Sequence, residues 1–356
     1  MTMIELKGKE EQTVVVKRND CMVSIILNRP RVLNSLNVEM IRLIDKILDK
    51  AEADKHCQFI LFYGSGERGF CAGGDIKALA QAVKDKRTAL AEQILKEEYD
   101  LCLRLHRFTK PIIVLADGIT MGAGLGLAAG ADLVVATEET RMAMPETRIG
   151  FFPDVGATGW MFSKCPAGYP EYLGLTGYEM VGAEAVRVGF ARHLVKSERM
   201  SELVSALEGY SGNLSQSRSE GAKTVLSELN QLFDQNIPTN PDMDQWVAEY
   251  FAGKNSVVEI MESLRQCTIQ TQLCDGVFTR LAERSPTAVV LTLKLLRHNE
   301  MRSLEEVFRA DFKAARFILR HPDYVEGVRA RVVDKDDDPK WQPSTIEEVG
   351  DLDLVL

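Results

Sequence analysis

The apolar positions change period several times along the chain. TVVVKR and CMVSIILN flank Asn19-Asp20 and predict a β-hairpin, with Val23, Ile25 and Leu27 on one face. After Pro30, NVEMIRLIDKILDKAEAD carries Ile41, Ile44, Leu48 and Ala51 at helical spacing, with Asn37 placed to cap the helix. FILFY reads as a strand, followed by a long loop to Asp75 and helical stretches to about Phe108. One of these, RTALAEQILKEEYDLCLRLH, offers Leu90, Ile94, Leu101 and Leu105 as its apolar stripe and leaves Glu97 or Glu98 near a face boundary. PIIVLAD is a buried strand, LGLAAGA allows at most two helical turns, and DLVVAT is a further strand. Apolar strands alternating with helices imply an α/β fold with a mostly parallel sheet covered by helices.

Strand signals fade after about Leu194. From Ser197 to Ser285 the pattern is polar and helical, with loops at GYSGNLSQS and NIPTNPDMD. SPTAVVLTLKLLRHN and SLEEVFRADFKAARFILRH are amphipathic helices capped by Ser285 and Ser303. The run DKDDDPKW predicts a solvated acidic extension.

Composition narrows the function classes. The 356 residues are 45% hydrophobic, enough for a substantial core. Their 43 basic and 52 acidic side chains give a net charge of −9, which argues against nucleic acid as a partner. An anionic ligand would need a local basic pocket. Seven cysteines without CxxC spacing read as reduced thiols in an intracellular protein. The five histidines form no HExxH-like pair, so no metal is expected. No apolar run reaches membrane-spanning length, and the start, MTMIELKGKEEQ, has neither a signal-peptide core nor a transit-peptide composition. The expectation is a cytoplasmic protein with no membrane partner.

Two glycine-rich loops follow strands. GSGERGFCAGGD contains a literal GxGxxG at Gly64, Gly66 and Gly69, the spacing of a dinucleotide-binding turn. In that motif the helix opens within the glycines, whereas here it is expected to begin near Asp75. CAGGD and the later MGAGLG instead expose backbone N–H groups on small residues. Two such loops converging on one oxygen would form an oxyanion hole; ordinary tight packing of helix on sheet is the other reading. In MPETRIGFFPDVG, Glu146 and Asp154 each follow a proline and bracket Ile149, Phe151 and Phe152. Carboxylates around an apolar turn either cap helices or do chemistry, because burying an unpaired one is costly.

NRPRVLNSL, GFCAGGDIK, DGITMGAGLGL, AMPETRIGFFPDVG and LGLTG, in this order and spacing, resemble the crotonase (enoyl-CoA hydratase/isomerase) superfamily. KEEYDL, FFPDVG, the long helical C-terminal region and EGVRARVVDKDDDPKW are similar to its 3-hydroxyisobutyryl-CoA hydrolase branch. The resemblance implies a spiral of ββα units over residues 14–196, a helical region over 197–343 that closes over the active site, and a tail from 344 to 356. It implies a coenzyme A thioester as substrate and no separate cofactor. The thioester oxygen would be held by the N–H groups of Ala72 and Ala123, where the family usually has glycine at the second position. Gly73, Gly74, Gly122 and Gly124 would line the substrate, and Glu98 would be a further acid of the pocket. Glu146 falls on the catalytic glutamate and Asp154 on the branch's second acid. Arg29, Arg31 and Lys77 lie in or beside the matching motifs as candidates for the CoA phosphates. The superfamily often forms trimers, so a homo-oligomer is a possibility.

The second glutamate of short hydratases would fall on Gly126, which cannot hold a proton. The expected reaction is therefore hydrolysis of a short β-hydroxyacyl-CoA, foremost 3-hydroxyisobutyryl-CoA, as in valine catabolism. The alternatives are a hydratase or isomerase using Glu146 with Asp154, and a non-catalytic acyl-CoA-binding protein.

Overall fold

The computed structural model describes residues 12–19, 21–210, 218–350 and 352. Asp20 and most of the GYSGNLSQS loop lie outside them, as do residues 1–11. The chain divides into two compact units, each assembled from separated segments: Met1–Gly74, Asp100–Met142 and Met180–Thr239 form the first, and Asp75–Tyr99, Ala143–Glu179 and Asn240–Leu356 the second.

In the first unit the strands Val14–Arg18, Met22–Leu27, Phe59–Gly64, Ile112–Ala116, Leu133–Thr137 and His193–Val195 form one sheet in that order. The first pair is the expected antiparallel hairpin, and every later neighbour is parallel. A smaller sheet orders Gly69–Cys71, Ile119–Met121, Arg141–Ala143 and Met180–Val181. Ile112–Ala116 goes to the large sheet, Ile119–Met121 to the small one, and the helix Ala123–Ala129 follows, which is the strand–strand–helix unit of the expected spiral.

Met22–Leu27 is buried along its whole length, on both faces. The strand is interior to a sheet covered on both sides, so the face opposite Val23, Ile25 and Leu27 is buried as well. One cover is the helix Val38–Ala53, capped by the Asn37 side chain accepting from Met40 N. On the other face Met22, Phe59, Leu61, Ile113, Leu133 and Val135 pack with Leu203, Leu207 and Val225. Those last residues belong to the helices Met200–Glu208 and Arg218–Leu229. These two helices are thus part of the sheet's own core, and the division between the units does not fall at 196/197.

The second unit is helical around the acid-bearing turn. The helix Pro286–Asn299 packs on the shorter helices Ala157–Lys164 and Tyr169–Thr176, Leu304–Ile318 packs on Pro286–Asn299 and Ala157–Lys164, and Pro322–Val328 packs on Leu304–Ile318 and the turn Glu146–Ile149. Ser285 caps the first through Ala288 N, and Ser303 forms a capping box with Glu306. The acidic run is not the free extension its charge suggests. Arg329 bonds Asp334 and Asp336, and Arg331 bonds Asp337, so two arginines fold it back. Among the described residues no helix is long and apolar enough to cross a membrane.

Candidate active site

The GxGxxG spacing is not a phosphate-binding turn. Gly64 ends a strand and Gly69 lies in the next, where a Cβ would stand 2.8 Å from the Ile119 backbone nitrogen. The helix begins only at Ile76, capped by Asp75 accepting from Ala78 N at 3.3 Å. Its N–H groups therefore do not meet the glycines, as the late start of the helical pattern implied.

NRPRVLNSL clamps the CAGGD loop. Leu33 and Asn34 both take positive φ, 54° and 57°. The buried Asn34 accepts from Arg29 N and donates to Ser65 O and Gly69 O at 3.0 and 2.9 Å. Leu36 N donates to Gly73 O at 2.8 Å. The Ala72 N–H is also consumed here, donating to Leu33 O at 2.9 Å. This corrects the assignment of Ala72 as an oxyanion donor, because a committed N–H cannot turn to a ligand without giving up that bond.

Ala123 fares differently. It is the first residue of its helix, and the first intrahelical bond runs from Gly126 N to Gly122 O. Its N–H is one of the amides a helix leaves unpaired at its start. A Cβ on Gly73 would come within 3.4 Å of the Ala123 nitrogen and 3.2 Å of Met121 O, so the two glycine loops do abut. Gly122 turns the chain at φ 52°, and a Cβ on Gly124 would lie 2.3 Å from Cys71 O. Close packing accounts for Gly124. Gly74 forms a parallel bridge with Leu36. In such a bridge the flanking groups face the partner strand, so the Gly74 N–H points away from Leu36.

The acids answer the capping question. Glu98, Glu146 and Asp154 are all buried, with 4%, 8% and 6% of their surface exposed. Glu146 opens the 3-10 turn Glu146–Ile149 without a side-chain cap bond, and its Oε2 has no hydrogen-bond partner among the described residues. Asp154 accepts the Tyr99 hydroxyl at 2.7 Å. Neither acid serves as a helix cap. Burial drives the Glu146 carboxyl well above its ordinary value, and the charges of Asp154 and Glu98 add to it. Burial also lifts Asp154 to about 7, against the opposing hydrogen bond from Tyr99. Glu98 rises to about 8, through burial first and the charge of Asp154 second. Three like charges out of water cannot all persist, so the cluster retains protons near neutrality and titrates as a unit.

The turn between the acids is held from behind. A Cβ on Gly150, at φ 70°, would meet Asp323 O at 2.3 Å, and one on Gly327 would meet Ile149 C at 2.4 Å. Backbone lies on backbone there, which explains the glycine of EGVR. Phe151 stacks on Phe152 at 4.7 Å and leans on Tyr324 at 5.4 Å, so the apolar residues keep water from the turn.

Two further residues escaped the sequence reading. Tyr99 stands within KEEYDL, one position after Glu98. The helix Thr88–Arg107 buries Ala91, Leu95, Glu98, Tyr99 and Cys102, and leaves Leu90 38% exposed. Its buried stripe is thus rotated by one residue at the N-terminal end, which moves Glu98 from a boundary onto the buried face. Asp311, wholly buried, lies on the stripe Val307, Ala314, Ile318 of the helix Leu304–Ile318. An acid at an apolar spacing was the available signal. Of the phosphate candidates, Arg29 is half-buried and donates to Ser35 O at 2.7 Å, whereas Arg31 and Lys77 are exposed. Among the described residues no cluster of His, Cys, Asp and Glu could hold a metal ion.

The family described as enoyl-CoA hydratase/isomerase matches residues 22–355. The chain is 35% identical over 348 residues to the mitochondrial 3-hydroxyisobutyryl-CoA hydrolase of Rattus norvegicus, covering 98% of this chain and 89% of that protein. It is 34% identical over 349 residues to the Homo sapiens protein of the same name, covering 96% and 87%. A carnitinyl-CoA dehydratase from Mycobacterium thermoresistibile superposes with a TM-score of 0.83 at 32% identity, over 96% of this chain and 94% of that one. An enoyl-CoA hydratase from Rhodobacter sphaeroides gives 0.83 at 29%, over 96% and 95%.

Proposed function

The chain belongs to the enoyl-CoA hydratase/isomerase family, and from that premise we propose that it hydrolyses 3-hydroxyisobutyryl-CoA, or a close short β-hydroxyacyl-CoA, to the free acid and CoA. It is an acyl-CoA thioester hydrolase, like the relatives it matches over nearly its whole length. The structural relatives carry hydratase and dehydratase names. What favours hydrolysis over those reactions is Gly126, buried in the helix Ala123–Ala129 at the place of the second hydratase glutamate. The observation that carries the chemistry is the buried, coupled set of Glu146 and Asp154, with an oxygen on Glu146 that has no hydrogen-bond partner among the described residues.

Hydrolysis needs a carboxylate to attack or to activate water, and an acid to protonate the departing thiolate. A coupled pair that keeps one proton between two groups provides both. The Tyr99 hydrogen bond makes Asp154 the readier of the two to ionise. We therefore assign Asp154 the task of relieving Glu146 of its proton and later giving one to the thiolate sulfur. Glu146 then either adds to the carbonyl, expelling the thiolate and leaving a mixed anhydride that water opens to the free acid, or takes a proton from the water that attacks the carbonyl. For the oxygen that becomes negative we assign the Ala123 N–H, and the Gly74 N–H in place of Ala72; each such donor is typically worth ~2.7–4 kcal/mol in the transition state. Gly73 and Gly122 let the thioester approach the chain, and Glu98 sets the acyl group. Arg31 and Lys77 remain the candidates for the CoA phosphates, since Arg29 is already engaged. CoA enters as part of the substrate, with no separate cofactor.

The relatives named as mitochondrial lend the cytoplasmic expectation no support. None of the seven cysteines is joined in a disulfide, and we propose only a reducing compartment, either cytosol or mitochondrial matrix. Place in valine breakdown follows from the substrate.

Thiol release from 3-hydroxyisobutyryl-CoA should outpace hydration of crotonyl-CoA, and the reverse order would reject hydrolysis. Glu146→Gln and Asp154→Asn should each lose roughly 10²–10⁴-fold in rate while still binding substrate. If both kept the wild-type rate, these assignments would fail. A single turnover in oxygen-18 water tests direct attack, because water opening the anhydride at the Glu146 carboxyl carbon labels the side chain and general-base catalysis never does.

A further inference from the structure

We propose that Asp311 is a positioning residue for Asp154, holding the left-handed turn that follows Asp154 by accepting the Gly156 N–H. The inference rests on the catalytic assignment of Asp154 made above.

The segment after Asp154 is conformationally unusual. Val155 takes φ 50° and Gly156 φ 79°, two consecutive left-handed residues. For a β-branched valine this region is a genuine outlier, which persists only where the surroundings enforce it. The enforcing contacts can be named. Asp311 Oδ2 accepts from Gly156 N at 2.7 Å, and Trp160 Nε1 donates to Val155 O at 3.1 Å. Ala157 N returns to Asp154 O at 2.9 Å. A Cβ on Gly156 would stand 2.7 Å from the Phe308 ring, so the turn is pressed against the same helix that carries Asp311.

Asp311 is costly where it stands. It is 0% exposed and lies on a stripe otherwise made of Val307, Phe308, Ala310, Ala314, Ala315 and Ile318. A buried acid that merely filled space would be replaced by a leucine at no loss. This one is tied in: its Oδ1 lies 3.5 Å from the Thr158 hydroxyl, which accepts from Asn299 Nδ2 at 2.9 Å. The network fixes residues 156 and 158 at the helix start, and Asp154 opens the same turn. A catalytic carboxyl displaced by about an ångström loses rate out of proportion to any change in binding.

The test is steady-state thiol release by Asp311→Ala, Asp311→Leu and Asp311→Asn, with Asp154→Asn in parallel and thermal unfolding to confirm folding. Asp311→Ala and Asp311→Leu remove the acceptor and should lower kcat roughly 10–100-fold with KM changed less than about threefold. Asp311→Asn keeps an acceptor oxygen for the Gly156 N–H and should restore kcat to within about threefold of wild type. If Asp154→Asn retains full rate, the functional reading fails and the proposal with it. If Asp154→Asn loses rate but Asp311→Ala and Asp311→Leu keep kcat, or if Asp311→Asn is as slow as they are, only the proposal falls. It falls too if neither apolar variant folds, since the bond would then serve folding rather than placement.

Discussion

Replacing Glu98 by glutamine removes an ionisable group from a buried position and keeps its shape. In the folded chain its carboxyl titrates at about 8, against 4.5 for an unperturbed glutamate. Between those values the folded state holds a proton that the unfolded state has released, so stability present below pH 4.5 is lost as pH rises towards 8. At 1.36 kcal/mol per pH unit, the interval from 4.5 to pH 7 costs the wild type about 3 kcal/mol that a glutamine does not incur. The amide must still be desolvated, which takes back roughly 1–3 kcal/mol at every pH. Glu98→Gln should therefore be near neutral or destabilising at pH 5, and should gain on the wild type by about 3–4 kcal/mol between pH 5 and pH 8. Urea unfolding followed by circular dichroism across that range measures it. Parallel stability curves for the two proteins would refute the reasoning, as would a variant that lost ground with rising pH. The same variant should raise KM or change the preferred acyl group more than it lowers kcat. A fall in kcat as deep as that of Glu146→Gln would make Glu98 a participant in the chemistry.

Two further outcomes follow from the contacts. Tyr99→Phe removes the hydrogen bond that favours the Asp154 anion, so the limb on which kcat rises with pH should move upward from about pH 7. A pH–rate profile unchanged by Tyr99→Phe would contradict the role given to Asp154. Gly150→Ala places a methyl 2.3 Å from Asp323 O at φ 70°, and should cost about 2 kcal/mol or more, read as a fall in urea midpoint. An alanine tolerated there without loss would show that the Pro322–Val328 helix does not clasp the turn.

Sequence alone carried the local structure and named the candidates for the chemistry. The hairpin, the Asn37-capped helix and the parallel strands follow from hydrophobic period and capping residues, which act over a few neighbours along the chain. The late helix start at Asp75 was legible for the same reason, and it disposed of the dinucleotide reading. Motif order pointed to Glu146 and Asp154. What the linear pattern could not convey was which partner each polar group meets. Leu33 is 39 positions from Ala72, yet its carbonyl takes the amide expected to serve the substrate. Asp311 is 155 positions from the Gly156 N–H that it holds. The helices from 197 to 239 read as one with the later helical region, because an amphipathic stripe says that a face is buried but not against what. Nor does the spacing of three acids reveal a shared titration. Their proton affinities arise from joint burial, and burial is a property of the packed chain.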